Sequence, residues 1–267
     1  MEMEAVLSID LMLIANKPSE VDLWDKAGVD FIFIDLEIFG KESRQGHLNT
    51  VISKHEVDDV TEVKPYVTKG RLLVRINPLN SGTFQEVDDV ISRGAEVIML
   101  PMFRSASDVE LLIDYVNGRC EVYPLIETPE ALNDIDRLAT IQGVSGYHIG
   151  LNDLHLAYGM SFMFEVMLTE RFKYATEVLR AQHKIIGIGG VAKLGDGYLP
   201  AEMILKEYAR HGASRTILSR SFKLEATDKE YEIGRIKSYF DGLEWSDLDE
   251  ELFRIKVLEI SERIANG

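Results

Sequence analysis

The sequence predicts a closed (β/α)8 TIM barrel carrying one additional helix at its C-terminal end. Three observations predict it: eight short apolar runs rich in β-formers, segments of helical spacing between them, and one turn type that recurs ahead of three runs. The runs occupy 9–15, 31–37, 71–77, 96–101, 121–127, 146–150, 184–191 and 215–220. Between them, 105–116 places Val109, Leu112, Ile113 and Val116 on one helical face. The recurring turn reads AGVD before Phe31, RGAE before Val97 and HGAS before Arg215. Its glycine, just past a helix, reaches positive φ without strain and lets the chain turn directly into a strand. An open doubly wound sheet would use the same turns, and the count of eight favours closure. No Ser/Gly/Pro-rich linker divides the chain, so residues 1–267 read as one domain. Ser246 and Asp249 resemble a capping box that starts a helical extension over 246–265. Phe253, Val257, Ile260 and Ile264 form a stripe on it, fit to pack on its own barrel or on a neighbouring subunit of a homo-oligomer.

Composition narrows the function. A hydrophobic fraction of 46% excludes a disordered chain. The net charge of −16 repels phosphate backbones and anionic lipid heads, which argues against nucleic acid and membrane surfaces as partners. It leaves anionic substrates open, because a metal ion or one buried arginine reverses the sign locally. The single cysteine, Cys120, cannot form an intramolecular disulfide, which suits a reducing cytoplasm. The N-terminus is acidic where a signal peptide is basic, and no stretch approaches about 18 apolar residues. A cytoplasmic location is the expectation.

Catalytic groups of such barrels sit at the C-terminal ends of the strands. Several runs stay apolar until their last residues and then turn polar: Asp35 and Glu37, Arg75 and Asn77, Glu127, and Asp153. Glu127 and Asp153 follow consecutive strands, and neighbouring strands lie about 4.8 Å apart, so their oxygens can converge above the barrel. Two carboxylates with open positions suit Mg2+ or Mn2+. The alternative is that both cap the following helices or pair with Arg75.

These landmarks resemble the HpcH/HpaI aldolase/citrate lyase family of the phosphoenolpyruvate/pyruvate barrel superfamily. The similarity runs from about Leu7 to Phe222, through GVDFIFIDLE, LLVRIN, GAEVIMLPMFRSASDVE, LIETPEALNDID and GVSGYHIGLNDL. It implies a divalent-metal-dependent carbon–carbon lyase or aldolase acting on a 2-oxo acid and an aldehyde or sugar-like partner. Glu127 and Asp153 would hold the metal, and Arg75 would contact the carboxylate and enolate oxygens of a pyruvate-like substrate. Asp35 and Glu37 match the acidic positions ending the second strand. Aldolases of the family carry a histidine directly after that glutamate, where this chain has Ile38. The loop beyond is polar and contains Lys41, Arg44, Gln45 and His47. Lys41, Arg44, Gln45 and Asn152 are expected on the substrate, with a metal-bound water as the first candidate base and His47 and His155 behind it.

Among the other histidines, His55, His183 and His211 fall on helix termini or faces and read as solvated, and His148 as a core residue of the sixth strand. GIGGVA at 187–192 fits a dinucleotide fingerprint formally, but its glycines lie within a strand, which argues against NAD. Gly189 and Gly190 instead suit close approach of a phosphate or close packing. Two other functions compete: a Schiff-base aldolase using Lys193, and a silent barrel that only binds a ligand.

Overall fold

The computed structural model describes residues 8–39 and 55–266. Its strands are β1 (Asp10–Ile14), β2 (Phe31–Asp35), β3 (Arg71–Arg75), β4 (Val97–Met99), β5 (Glu121–Val122), β6 (Leu125–Ile126), β7 (Gly146–Ile149), β8 (Ile185–Val191) and β9 (Ala213–Leu218). All pair in parallel in the order β5-β4-β3-β2-β1-β9-β8-β7-β6. Although this order names nine strands, β5 and β6 are one stave interrupted at Tyr123–Pro124. Leu125 N donates to Leu100 O on the β4 side, and His148 N donates to Pro124 O on the β7 side. That stave therefore closes the sheet, and the eight predicted runs are the eight staves of an α/β barrel.

The strands are apolar because both their faces are covered. Leu11, Leu13, Ile32 and Ile34 point outward into the layer beneath the helices, with Trp24, Val60 and Phe222. Alternate residues Met12, Phe31, Phe33, Leu73, Val97, Met99, Tyr123 and Leu125 fill the interior. The three repeated turns behave as the sequence predicts, with φ of 94° at Gly28, 105° at Gly94 and 73° at Gly212. The helix Ala106–Val116 has the expected buried face, and Ser105 and Asp108 form its capping box.

The last helix runs Asp247–Asn266, and Ser246 and Asp249 cap it reciprocally. Phe253, Val257 and Ile260 bury against the chain's own helix Ala201–Arg210 and the turn Met163–Leu168, whereas Ile264 is exposed. Among the described residues no helix is long and apolar enough to cross a membrane.

His211 corrects the solvated reading. It lies buried at the end of the helix Ala201–Arg210, with Nδ1 3.0 Å from Thr176 Oγ1. Burial first, then Arg210, Lys173 and Arg180, push its pKa down to about 3. Because the folded value lies below the unfolded one, its stabilisation is present above about pH 6.5 and is lost as pH falls toward 3. Urea denaturation should show the wild type losing about 2 kcal/mol through this group between pH 7 and 5, a component absent in His211→Asn.

Candidate functional site

A cavity of about 820 Å³ opens at the C-terminal mouth of the barrel. Asp35, Glu37, Arg75, Glu127, Asn152 and Asp153 all line it. Strand register explains the first pair, since Asp35 sits directly beside Arg75 on β2 and β3. Arg75 Nε donates to Asp35 Oδ1 and Nη2 to Asp35 Oδ2, both at 2.8 Å. Glu37 Oε2 lies 3.4 Å from the same Nη2. The guanidinium also sits 5.5 Å from the Phe33 ring centroid. Burial works against its charge, but Asp35, Glu37 and Glu127 outweigh that penalty and raise its pKa. Arg75 is therefore a permanent cation with one edge occupied by Asp35.

Glu127 follows β6 directly. Its Oε1 accepts from Met102 N at 3.0 Å, so it is not a cap of the next helix, a role filled by Thr128. Gly150 makes room for it. A methyl at position 150 would stand 3.0 Å from Glu127 Cβ and 3.2 Å from its Oε2. Asp153 differs from the sequence reading. Leu154 N bonds back to Gly150 O, so Asp153 sits in the first turn of the helix Leu151–Ala157 rather than at the strand end. It still lines the same cavity as Glu127. The Glu127 carboxyl is held well above the usual range by burial first, then by Asp153 and Glu37, against the opposing pull of Arg75.

Four carboxylates thus line one cavity with the Arg75 guanidinium, and Lys17, Arg220 and Lys223 line it as well. Carboxylates brought together by burial cost several kcal/mol unless cations or protons relieve them. Hard oxygen donors that include two carboxylates fit a divalent ion that keeps water or substrate as further ligands. Among the described residues no group of three or more His, Cys, Asp or Glu side chains gathers as a complete metal cage.

Other expected residues fall elsewhere. His155 does not line the cavity, and its Nδ1 is buried with no hydrogen-bond partner among the described residues. Lys193 also lies outside the cavity, 3.6 Å from Asp196 and 4.0 Å from Glu232. Lys41, Arg44, Gln45 and His47 lie outside the described residues. Ile38 is exposed at the rim, its backbone N–H donating to Asn77 Oδ1.

His55 is the residue that sequence reasoning missed. It is half-buried, lines the cavity, and its Nδ1 accepts from Asp35 N at 3.0 Å. Nothing in local periodicity marks it, because the contact spans 20 residues. His148 also reaches the cavity wall. Its Nε2–H donates to Gly189 O at 3.1 Å, and burial pushes its pKa down to about 3, so it is a neutral structural donor.

The acidic, arginine-bearing mouth lies at the C-terminal ends of the strands, the face on which α/β barrel enzymes carry their active sites. The family model described as HpcH/HpaI aldolase/citrate lyase matches residues 10–214, and the chain belongs to that family. The family comprises lyases and aldolases and is generally dependent on a divalent metal. Solved structures share the fold at low identity. An HpcH/HpaI aldolase/citrate lyase family protein from Burkholderia cenocepacia is 14% identical, with a TM-score of 0.66 over 87% of this chain and 96% of that one. An HpcH/HpaI aldolase from Desulfitobacterium hafniense is 17% identical, with a TM-score of 0.61 over 89% and 94% of the two chains. A citrate lyase from Burkholderia xenovorans is 17% identical, with a TM-score of 0.65 over 89% and 78%. No curated protein sequence matches this chain.

The Arg75–Asp35 pair makes a structural demand. Arg75→Met leaves Asp35 buried without its counter-ion and should cost about 3–5 kcal/mol in urea denaturation. Arg75→Met with Asp35→Leu should recover part of that loss, because the unpaired charge is gone.

Proposed function

We propose that the chain is a divalent-metal-dependent carbon–carbon lyase or aldolase that cleaves or forms the bond between a 2-oxo acid and an aldehyde. The observation that carries this reading is the convergence of Glu127, Asp153 and a clamped Arg75 on one cavity. Glu127 and Asp153 would hold the metal, Mg2+ or Mn2+. When bound, such an ion supplies Lewis-acid polarisation of a 2-oxo acid.

The chain's own groups do the rest. The two 2.8 Å bonds to Asp35 orient the guanidinium, which leaves Nη1 for the carboxylate and the enolate oxygen of the substrate. Charge that develops on that oxygen as the carbon–carbon bond breaks then meets a donor already in place, with little reorganisation. Because both Asp35 oxygens are engaged with Arg75, Asp35 is a positioning residue. Glu37, more loosely associated with the guanidinium at 3.4 Å, is the carboxylate assigned to accept the hydroxyl proton of the departing aldehyde. Asn152, on the same rim as Asp153, is assigned to the substrate.

Exchange of the pyruvate methyl protons into deuterated water isolates enolisation from the choice of aldehyde. Glu127→Gln, Asp153→Asn and Arg75→Met should each slow it by about 100-fold or more. EDTA should abolish exchange, and added Mg2+ or Mn2+ should restore it. Exchange that persists at full rate in EDTA, or in the Glu127→Gln and Asp153→Asn proteins, would remove the metal from the reaction.

A further inference from the structure

The helix Asp247–Asn266 carries two apolar faces. Phe253, Val257 and Ile260 form one and are buried against the chain's own helix Ala201–Arg210 and the turn Met163–Leu168. Leu248, Leu252, Ile255 and Leu258 form the other, spaced i, i+4, i+7 and i+10 on nearly the opposite side of the helix. Trp245, just ahead of the helix, extends this second stripe. The five residues are between 40% and 66% exposed. Their platform is firmly held, with Lys206 Nζ 2.7 Å from Asp249, Arg210 Nη2 3.5 Å from Glu250 and Ser261 Oγ donating to Glu165 Oε1 at 2.7 Å.

We propose that this face is an interface with a second copy of the chain, the two related by a two-fold axis. Beside the stripe runs a groove of about 220 Å³, whose lining includes Met203, Tyr239, Trp245 and Leu252. Leu248 stands one helical turn from Leu252 and is the most exposed residue of the stripe, at 66%. A protruding leucine and an apolar groove on one surface are self-complementary. Each copy's Leu248 enters the other's groove, and a two-fold axis satisfies both contacts together. The five exposed residues present roughly 400 Å², about half of the ~800 Å² that each partner buries in a standard interface. Groove walls and the aliphatic stems of flanking charged residues supply the rest.

Charge selects a second copy over other occupants. At a net charge of −16 the chain repels nucleic acid, anionic membranes and, over most of its surface, its own copies. The borders of the stripe are different, because their acids already have basic partners within the chain. Asp249 pairs with Lys206, Glu250 with Arg210, Glu251 with Arg254 at 2.7 Å and Glu259 with Lys256 at 3.3 Å. A basic partner needs uncommitted carboxylates to recognise, and these four are committed. Another copy brings the same apolar stripe with the same neutralised borders, so two can approach here without meeting like charges.

Sedimentation velocity of the full chain at about 1 to 100 μM tests the interface. The wild type should sediment at an even multiple of the single-chain mass. Leu248→Glu and Leu252→Glu, both at exposed positions, should each halve that mass by raising the dissociation constant about 100-fold or more. Leu23→Glu, at an exposed leucine outside the stripe, should leave the mass unchanged. Far-UV circular dichroism identical to the wild type confirms that a variant is folded, and the two stripe variants stand as independent tests. A wild type that stays monomeric at the top of the concentration range, or a folded stripe variant that keeps the wild-type mass, overturns the proposal.

Discussion

The ion pair of Arg75 with Asp35 is the constraint around which the mouth of this barrel is organised. Arg75 and Asp35 occupy paired register positions on adjacent strands, so closing the sheet brings them together. The pair engages both Asp35 oxygens, and Glu37, Glu127 and Asp153 line the same cavity beside it. Carboxylates gathered in this way are costly for stability and offer hard oxygen donors. The Glu127 pKa is raised by burial first and by Asp153 and Glu37 after it, against the pull of Arg75.

The opposite end of the barrel solves its charge problem internally. Arg71 pairs with Glu121 at 2.6 Å, and Arg215 reaches Glu121 at 3.4 Å and Asp10 at 3.2 Å. Arg215 also lies 4.8 Å from the ring centroids of both Phe31 and Tyr123. These two arginines and two acids close the N-terminal end as a balanced network that asks for no ligand. Contrast between the two ends matters more than the number of charges at either. The N-terminal end is a plug, and the C-terminal mouth is the end that opens into a cavity.

Much of the site was legible because barrel strands are apolar until they leave the core. Any charge at the end of such a run has to be at the mouth, which is how Asp35, Arg75 and Glu127 could be read from the chain. Asp153 was assigned to the correct rim but the wrong element, since a strand end and the first helical turn after it look alike without the Leu154–Gly150 hydrogen bond. The histidines were harder. His211 and His55 share ordinary polar surroundings in the chain, yet one is buried against Thr176 and the other accepts from Asp35 N. Lys193, two residues past the glycine-rich strand, lies outside the cavity, beside Asp196 and Glu232.

By itself, then, the sequence determined the alternation of strands and helices, the three glycine turns, the capped terminal helix and the rim on which each strand-end charge lies. These are local properties, set by side-chain periodicity and by backbone angles that only certain residues adopt. Tertiary structure alone decided which charges share a cavity. Ile14 meets Lys223 across 209 residues, and Asp35 meets His55 across 20. Such pairings come from circular closure of the sheet and from strand register, and neither leaves a pattern among neighbouring residues of the chain.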